Sequence, residues 1–193
     1  MSRAMALVRG SVVREARFPA VLERLMDEVR NWDLHEPSEK GFTLLHEACD
    51  RSQKDPSMQD VIAALSQYLG EADVNRPTTG TRAPGWTALH ILANNGDRAN
   101  IRWRLMERLV EMRANVDAEA ENGRTPLLAA CATSHFDAIK TLLRLRADVG
   151  AKLDGVTTAL DLCWNNRECG DLIESAGGLK GKGVTGKGRH SMR

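Results

Sequence analysis

The sequence predicts an all-α solenoid, in which short helix pairs stack side by side and short hairpin loops join them. A motif of a turn, a threonine and an apolar helix start occurs four times in the 193 residues. An Asp or Asn followed by an aliphatic residue precedes each of these threonines by 10 or 14 residues. Self-similarity of this kind is the sequence signature of repeat architectures. The four segments are GFTLLHEAC at Gly41–Cys49, GWTALHILA at Gly85–Ala93, GRTPLLAAC at Gly123–Cys131 and VTTALDLCW at Val156–Trp164.

Each repeat is predicted to begin with a capped helix. Threonine is a good N-cap, because its hydroxyl accepts a hydrogen bond from the exposed N–H groups of the first turn. Pro126 takes the first helical position of the third repeat, where its missing N–H would be unpaired in any residue. The glycines at 41, 85 and 123 lie two residues before their threonines and suit a turn that needs positive φ.

Paired aliphatic residues at helical spacing predict a second helix in each repeat. Small residues inside the first helices, such as Cys49 and Ala93, would let the second helix approach closely. A helix over Val21–Val29 is predicted as the trailing half of an earlier, amino-terminal unit. The paired residues of the second helices are Val61, Ile62 and Leu65, then Leu105, Met106, Leu109 and Val110, then Ile139, Leu142 and Leu143.

The order of turn, TPLH-like helix start, second helix and closing Ala-Asp-Val turn resembles the ankyrin repeat. The resemblance covers roughly residues 18–178 and implies an ankyrin-repeat solenoid of about four and a half units. The motif's proline is present only at Pro126, and its histidine only at His46 and His90, where it implies a structural hydrogen bond. Insertions lie at residues 78–85 and around residues 97–103.

Charge divides the chain into three predicted segments. Residues 1–17 form a basic amino-terminal segment, residues 18–178 the repeat domain, and residues 179–193 a basic, glycine-rich disordered tail. The net charge of the whole chain is +1, and both ends are basic, so the repeat body is acidic. An acidic body predicts basic protein partners, whereas basic ends suit nucleic acid or another anionic surface.

The sequence predicts no enzymatic activity, no cofactor and no metal site. Residues 181–188 approximate a phosphate-binding loop, but Gly188 stands where Ser or Thr would bind magnesium. Cys163 and Cys169 lack the matching His pair of a zinc site. No apolar run approaches the ~20 residues that cross a bilayer. A Cys–His nucleophile stays open, because such residues meet in space rather than in sequence.

The cysteines indicate a reducing compartment. Cys49, Cys131 and Cys163 occupy small-residue positions inside helices, where a thiol behaves as a compact hydrophobe. Reduced, buried thiols predict a cytoplasmic or nuclear location. The alternative is an organelle, if the arginine-rich residues 1–17 are a targeting segment rather than a capping helix.

The predicted function is protein–protein recognition by an adaptor, inhibitor or localisation subunit. The resemblance implies a surface formed by the concave face of the first helices and by the loops, or fingers, between units. The alternative is nucleic-acid or anionic-surface binding by the basic termini, with strong salt dependence. The predicted finger contacts are Phe42, Trp86 and Arg124, because aromatic residues and arginine dominate binding energies. The predicted helix-face contacts are Glu47, Arg51, Ile91, Asn94, Asn95 and Thr133.

Trp103 has two interpretations. It lies among arginines in the enlarged second repeat and falls off the apolar stripe of its predicted helix. It could flank a basic patch on the outer face, or it could cover the inserted residues. The second interpretation is favoured.

Overall fold

Four helix pairs follow one another in the computed structural model, which describes residues 37–55, 58–81, 83–95, 102–179 and 181. We number the pairs as units 1 to 4. Unit 1 contains α1 (Leu44–Arg51), α2 (Met58–Leu65) and the one-turn α3 (Glu71–Val74), and unit 2 contains α4 (Ala88–Asn94) and α5 (Arg102–Glu111). Unit 3 contains α6 (Pro126–Ala132) and α7 (Phe136–Arg144), and unit 4 contains β1 (Lys152–Leu153), β2 (Thr157–Thr158), α8 (Ala159–Leu162) and α9 (Arg167–Ser175).

All four predicted caps are N-cap residues. Each cap threonine has an extended backbone and is followed by the first helix of its unit. The hydroxyl of Thr125 accepts from the N–H of Leu128 at 3.4 Å, and that of Thr158 from the N–H of Asp161 at 3.3 Å. In units 1 and 2 the threonine hydroxyl instead bonds to Nδ1 of a histidine at 2.9 Å. The sequence therefore predicts the helix starts correctly, while the cap chemistry depends on the residue three positions later.

The helices form two layers around one continuous core. The first helices α1, α4, α6 and α8 pack side by side, and α5, α7 and α9 form a second layer against them. Small residues of the first helices are fully buried where the layers meet, including Ala48, Cys49, Ala93 and Cys131. The second helices contribute buried aliphatic residues such as Ile62, Leu109 and Ile139. The predicted all-α solenoid is confirmed.

A hairpin, here called a finger, precedes the first helix of each unit. The residue before each cap threonine takes part in the closing bonds: Ser38 N–H donates to Phe42 O at 2.8 Å, and Ala120 N–H to Arg124 O at 2.8 Å. Among the described finger residues, only those of unit 4 form a short antiparallel sheet, in which Leu153 pairs with Thr157. The fingers also bond to one another, since Asp154 N–H donates to Asn122 O at 2.8 Å.

Thr78 closes the enlarged finger that contains the inserted residues. Its N–H donates to the carbonyl of Trp86 at 2.8 Å, and its hydroxyl accepts from the Trp86 N–H at 2.9 Å. The same hydroxyl donates to the carbonyl of Ala83. Thr78 is buried. The insertion is therefore accommodated in a fixed loop without displacing the next helix start.

Side-chain oxygens join the closing turns of successive units. Oδ1 of Asn75 accepts from the N–H of Asn115 at 2.7 Å, and Nδ2 of Asn75 donates to the carbonyl of Arg113 at 2.8 Å. In the next step Oδ1 of Asp117 accepts from the N–H of Asp148 at 2.7 Å. Asn75 and Asp117, each two residues after a repeat-marking Asp or Asn, thus hold neighbouring units in register through their side chains, while the marker residues Asn115 and Asp148 supply backbone N–H groups.

Some predicted segments lie outside the described residues. These are the segment 1–17, the helix over Val21–Val29 and residues 182–193, so the boundaries of the three predicted domains stay predictions. Among the helices that the structure describes, none combines the length and the apolar character needed to span a membrane.

Candidate functional site

The predicted finger contacts lie at equivalent positions but differ in exposure. Trp86 and Arg124 are half-buried, so part of each side chain reaches the surface. Phe42 is only 9% exposed, and its ring centroid lies 5.9 Å from that of His46. Trp86 makes the same 5.9 Å contact with His90. Phe42 is therefore a core residue in this structure, unlike the surface contact that the sequence predicts, because its ring covers the buried histidine of its own unit.

In units 1 to 3 the fourth residue after the cap threonine is buried, whereas Leu162 at this position of unit 4 is half-buried. Ile91 is 3% exposed and Glu47 4% exposed, although both are predicted contacts on the helix face. For Ile91 the physical reason is that α4 has a first helix on either side, so this position lies within the stack. The buried carboxylate of Glu47 forms an ion pair with Arg51 across 3.5 Å. Fewer contact residues of the helix face are therefore accessible than the sequence predicts.

The seventh and eighth residues after each threonine do reach the surface. All of them are half-buried or exposed, and they recur at one register in four consecutive units. We call this surface the helix-end ridge. It consists of Asp50, Arg51, Asn94, Asn95, Ala132, Thr133, Asn165 and Asn166. Four of the predicted contacts belong to it, namely Arg51, Asn94, Asn95 and Thr133.

Hydrogen bonds between neighbouring units hold parts of the ridge in place. Nδ2 of Asn95 donates to Oδ1 of Asp50 at 3.1 Å, which links units 1 and 2. The hydroxyl of Ser134 donates to Oδ1 of Asn165 at 3.2 Å, which links units 3 and 4. The Thr133 hydroxyl bonds to Nδ1 of His135 at 2.9 Å. A surface fixed in this way loses little conformational entropy when a partner binds.

A buried histidine joins unit 2 to unit 3. Nδ1 of His90 accepts from the N–H of Thr87 at 3.1 Å, which leaves the proton of the neutral ring on Nε2. Nε2–H then donates to the carbonyl of Arg124 at 2.9 Å. Burial lowers the pKa of His90 to about 4, so the ring is neutral at physiological pH. The structural role that the resemblance implies fits these bonds.

His46 repeats the cap bonds of His90 but not the bond to the next unit. Its Nδ1 accepts from the N–H of Thr43 at 3.1 Å, and burial lowers its pKa to about 4. Within the described residues its Nε2 makes no hydrogen bond of normal geometry, although the Arg76 backbone lies near enough to raise the pKa slightly against burial. The enlarged finger follows unit 1, and there Thr78 rather than the histidine bonds to the Trp86 backbone.

Three thiols lie close together between units 3 and 4. Cys131, Cys163 and Cys169 are all buried, and none of them forms a disulfide bond. A hydrogen bond to Cys163, together with burial, raises the pKa of the Cys131 thiol. Burial also raises the pKa of Cys169, whereas the hydrogen bond with Cys131 lowers the pKa of Cys163. A buried thiol with a raised pKa is a poor nucleophile. Across the described ranges, no three His, Cys, Asp or Glu side chains converge as metal ligands.

Trp164 is an exposed side chain that sequence reasoning did not single out. It is 84% exposed and directly precedes Asn165 of the ridge. The sixth residue after the threonine is small and buried in the other units, as at Cys49 and Ala93. Helix α8 ends at Leu162, so the chain turns and carries the indole outward. In the sequence, the exposure of Trp164 is indicated by the replacement of a small residue by tryptophan at this position of the repeat.

Trp103 lies in a basic region on the second layer. The guanidinium carbon of Arg104 lies 5.1 Å from its ring centroid, and that of Arg144, on the next unit, lies 5.7 Å away. Arg144 also bonds to Glu107 at 2.5 Å. These contacts agree with the basic-patch interpretation, while residues 96–101 of the insertion lie outside the described part of the chain.

One comparison with known protein families bears on this arrangement. The family model described as ankyrin repeats (3 copies) matches residues 57–154. The match extends from the second helix of unit 1 to the finger of unit 4. It therefore covers the closing turns, the histidine joint and the half of the helix-end ridge that units 2 and 3 supply.

Proposed function

The chain belongs to the ankyrin repeat family, and on that premise we propose that it recognises a protein partner without catalysing a reaction. Ankyrin repeats are generally protein–protein interaction modules. The finer role that we propose is that of an adaptor, an inhibitor or a localisation subunit.

The observation that carries this proposal is the recurrence of accessible polar side chains along the helix-end ridge. Asn94, Asn95, Asn165 and Asn166 present amides, each of which both donates and accepts hydrogen bonds. Such groups suit the N–H and C=O groups of another polypeptide. The same register is half-buried or exposed in every described unit, so the surface is an extended row rather than a pocket.

The fingers supply a second edge to the proposed surface. Trp86 and Arg124 lie before the cap threonines, whereas the ridge lies at the other ends of the first helices. Seven helical residues separate the two edges by about 10 Å. A partner segment that lies across the first helices would contact both edges. The half-exposed indole and guanidinium groups are the residue types that commonly dominate binding energy.

A lysate capture experiment tests the proposal. The bait is the full chain, compared with Trp86→Ala/Arg124→Ala and with Asn94→Ala/Thr133→Ala. Phe42 is left unchanged, because its burial makes a substitution there a test of folding. We expect a partner identified by mass spectrometry to be captured by the wild type and lost, by roughly 10-fold or more, by both variants.

The matched control for this experiment is Glu111→Ala, an exposed position on the second layer. It should capture the partner as the wild type does, and helicity by circular dichroism should be unchanged in every variant. Equal capture by the wild type and both surface variants would show that the ridge and fingers do not bind the partner.

We further propose a cytoplasmic or nuclear location for the protein. The support is the burial of the thiols at residues 131, 163 and 169, which form no disulfide bond and suit a reducing compartment. An organelle is the alternative if residues 1–17 are a targeting segment. Loss of an organelle signal after deletion of residues 1–17 from a carboxy-terminally tagged chain would favour that alternative.

The nucleic-acid alternative depends on the basic termini, which lie almost wholly outside the described residues. It differs from protein recognition in its salt dependence, because each phosphate contact adds to the loss of affinity as salt rises. Protein recognition by the ridge does not require either terminus.

A further inference from the structure

Trp164 is the most exposed large apolar side chain that the structure describes. At 84% exposure its indole ring is almost wholly in contact with water. Phe136 is 38% exposed and begins α7, directly after the Ser134–His135 segment that contacts the Trp164 loop. Tryptophan is enriched among the residues that dominate binding energies at protein interfaces.

The loop that carries Trp164 is held on both sides. Oδ1 of Asn165 accepts from the Ser134 hydroxyl at 3.2 Å, and the Cys169 thiol donates to the carbonyl of Ser134 at 3.6 Å. Oδ1 of Asn166 caps α9 by accepting from the N–H of Cys169 at 3.1 Å. The indole is therefore presented from a fixed backbone, which lowers the entropy cost of binding.

The unit that carries Trp164 is also acidic. Residues 152–179 contain the two basic residues Lys152 and Arg167, so its five acids give it a net charge of −3. Glu168 is exposed, lies in the first turn of α9 and follows Trp164 by four residues. Asp171 and Glu174 extend this acidic surface along the exposed side of α9. The acids of the unit are Asp154, Asp161, Glu168, Asp171 and Glu174.

Trp103 is an example, in the same chain, of a tryptophan ring that contacts cationic side chains. The half-buried ring of Trp103 has the guanidinium carbons of Arg104 and Arg144 within 6 Å of its centroid, at 5.1 and 5.7 Å. A cation is attracted to the face of an indole, and the attraction grows when the site is shielded from water. Trp164 offers the same π face at far greater exposure, and the exposed Glu168 follows it by four residues.

We propose that Trp164, with Phe136 and Glu168, forms a docking surface for a lysine- or arginine-rich segment of the partner. This inference rests on the proposed function. It specifies the charge of the partner segment that binds at the carboxy-terminal end of the ridge. The cationic group stacks on the indole, its aliphatic stem packs along the aromatic rings, and the carboxylates attract its charge. A second copy of this chain fits less well, because two units of net charge −3 repel each other.

Peptide binding to the full chain tests the surface directly. The probe is a fluorescent peptide of alternating arginine and glycine, and its matched control replaces every arginine by glutamate. We expect the arginine peptide to bind at low salt and the glutamate peptide not to bind. Trp164→Ala should weaken binding by roughly 5- to 20-fold, and Trp164→Phe should retain part of the affinity because it keeps a π face.

Two further variants separate charge from stacking. Glu168→Gln/Asp171→Asn should weaken binding and reduce its salt dependence, because screening acts on the carboxylates. Glu111→Gln removes an exposed acid on another unit and should leave the affinity unchanged. Each substitution is at an exposed position, so circular dichroism should match the wild type.

Several results would overturn the inference. One is equal affinity of the wild type and Trp164→Ala, and another is equal binding of the arginine and glutamate peptides. If the peptide bound only after the basic residues of 179–193 were neutralised, the occupant would be this chain's own segment and not a partner. In the capture experiment, the Trp164→Ala variant could bind the natural partner while Asn94→Ala/Thr133→Ala does not. That result would reject this inference but would still support the proposed function.

Discussion

At the scale of single residues, the two buried histidines couple folding to protonation. Nδ1 of His46 and of His90 accepts a hydrogen bond from the backbone N–H of its cap threonine. A protonated ring would carry N–H groups at both nitrogens and could no longer accept there. Burial adds the cost of removing a charge from water, and the pKa of each ring is lowered to about 4.

We expect the free energy of unfolding to fall as the pH drops from about 6.5 to about 4. The unfolded chain binds protons at its histidines in this window, whereas the folded chain does not, so protonation favours unfolding. Above the window both states are neutral, and below it the loss is complete. The lowering to about 4 corresponds to a loss of up to about 3 kcal/mol for each histidine.

Urea denaturation at several pH values between about 7 and 5 measures this effect, in a range where most carboxylates stay ionised. His46→Gln/His90→Gln should show a flatter pH dependence than the wild type. His135→Gln is the control, because His135 is half-buried and lies outside both caps. A double variant as pH-sensitive as the wild type would mean that other groups carry the effect.

At the scale of elements, the fingers illustrate what sequence patterns predict. The positive φ values at Gly41 and Gly85, 73° and 76°, follow from local turn chemistry and agree with the prediction. The burial of Ile91 does not follow from local sequence, because it depends on the first helices on both sides of α4. The exposure of Trp164 depends on the end of α8 at Leu162. The apolar pattern of the fourth repeat does not predict that the helix ends there.

Two glycines with the same backbone angle are expected to differ in their tolerance of a side chain. Gly41 (φ 73°) packs against the next finger, and an added Cβ would lie 2.0 Å from the backbone nitrogen of Gly80. Gly155 (φ 71°) has no atom within 4 Å of an added Cβ. Gly155→Ala should therefore cost only about 1 kcal/mol, from backbone strain.

Gly41→Ala should cost at least about 2 kcal/mol more than Gly155→Ala, because two fingers must separate to admit the methyl group. Chemical denaturation of both variants measures the difference in the free energy of unfolding. Similar losses would indicate that the fingers of units 1 and 2 do not pack as closely as the structure shows.

At the scale of the whole molecule, stability is shared between neighbouring units. Units 2 and 3 each have a described unit on both sides, whereas unit 4 packs against unit 3. The four described units, their order and the two layers could be predicted from the sequence, since every one of these units carries its own cap and aliphatic pairs. The accessible surface could be predicted only in part. The repeat motif specifies the helices and their stacking, but it does not specify whether a side chain outside the motif is covered by a neighbouring unit.

We expect the carboxy-terminal unit to open before the centre of the stack. The four-residue α8 and the exposed α9 should exchange their amide hydrogens at least about 10-fold faster than α4 and α6, whose residues are largely buried. Hydrogen exchange followed by mass spectrometry measures the rates for each helix. Equal protection of α6 and α9 would mean that the described units unfold together.

The joint between units 2 and 3 also bears on how such a protein can diversify. The His90 ring bonds to the main-chain carbonyl of residue 124, an atom that every amino acid provides. The side chain of Arg124 is half-buried and is not part of that bond. Selection can therefore replace the residue at this position, and with it the recognised target, without dismantling the contact between the units.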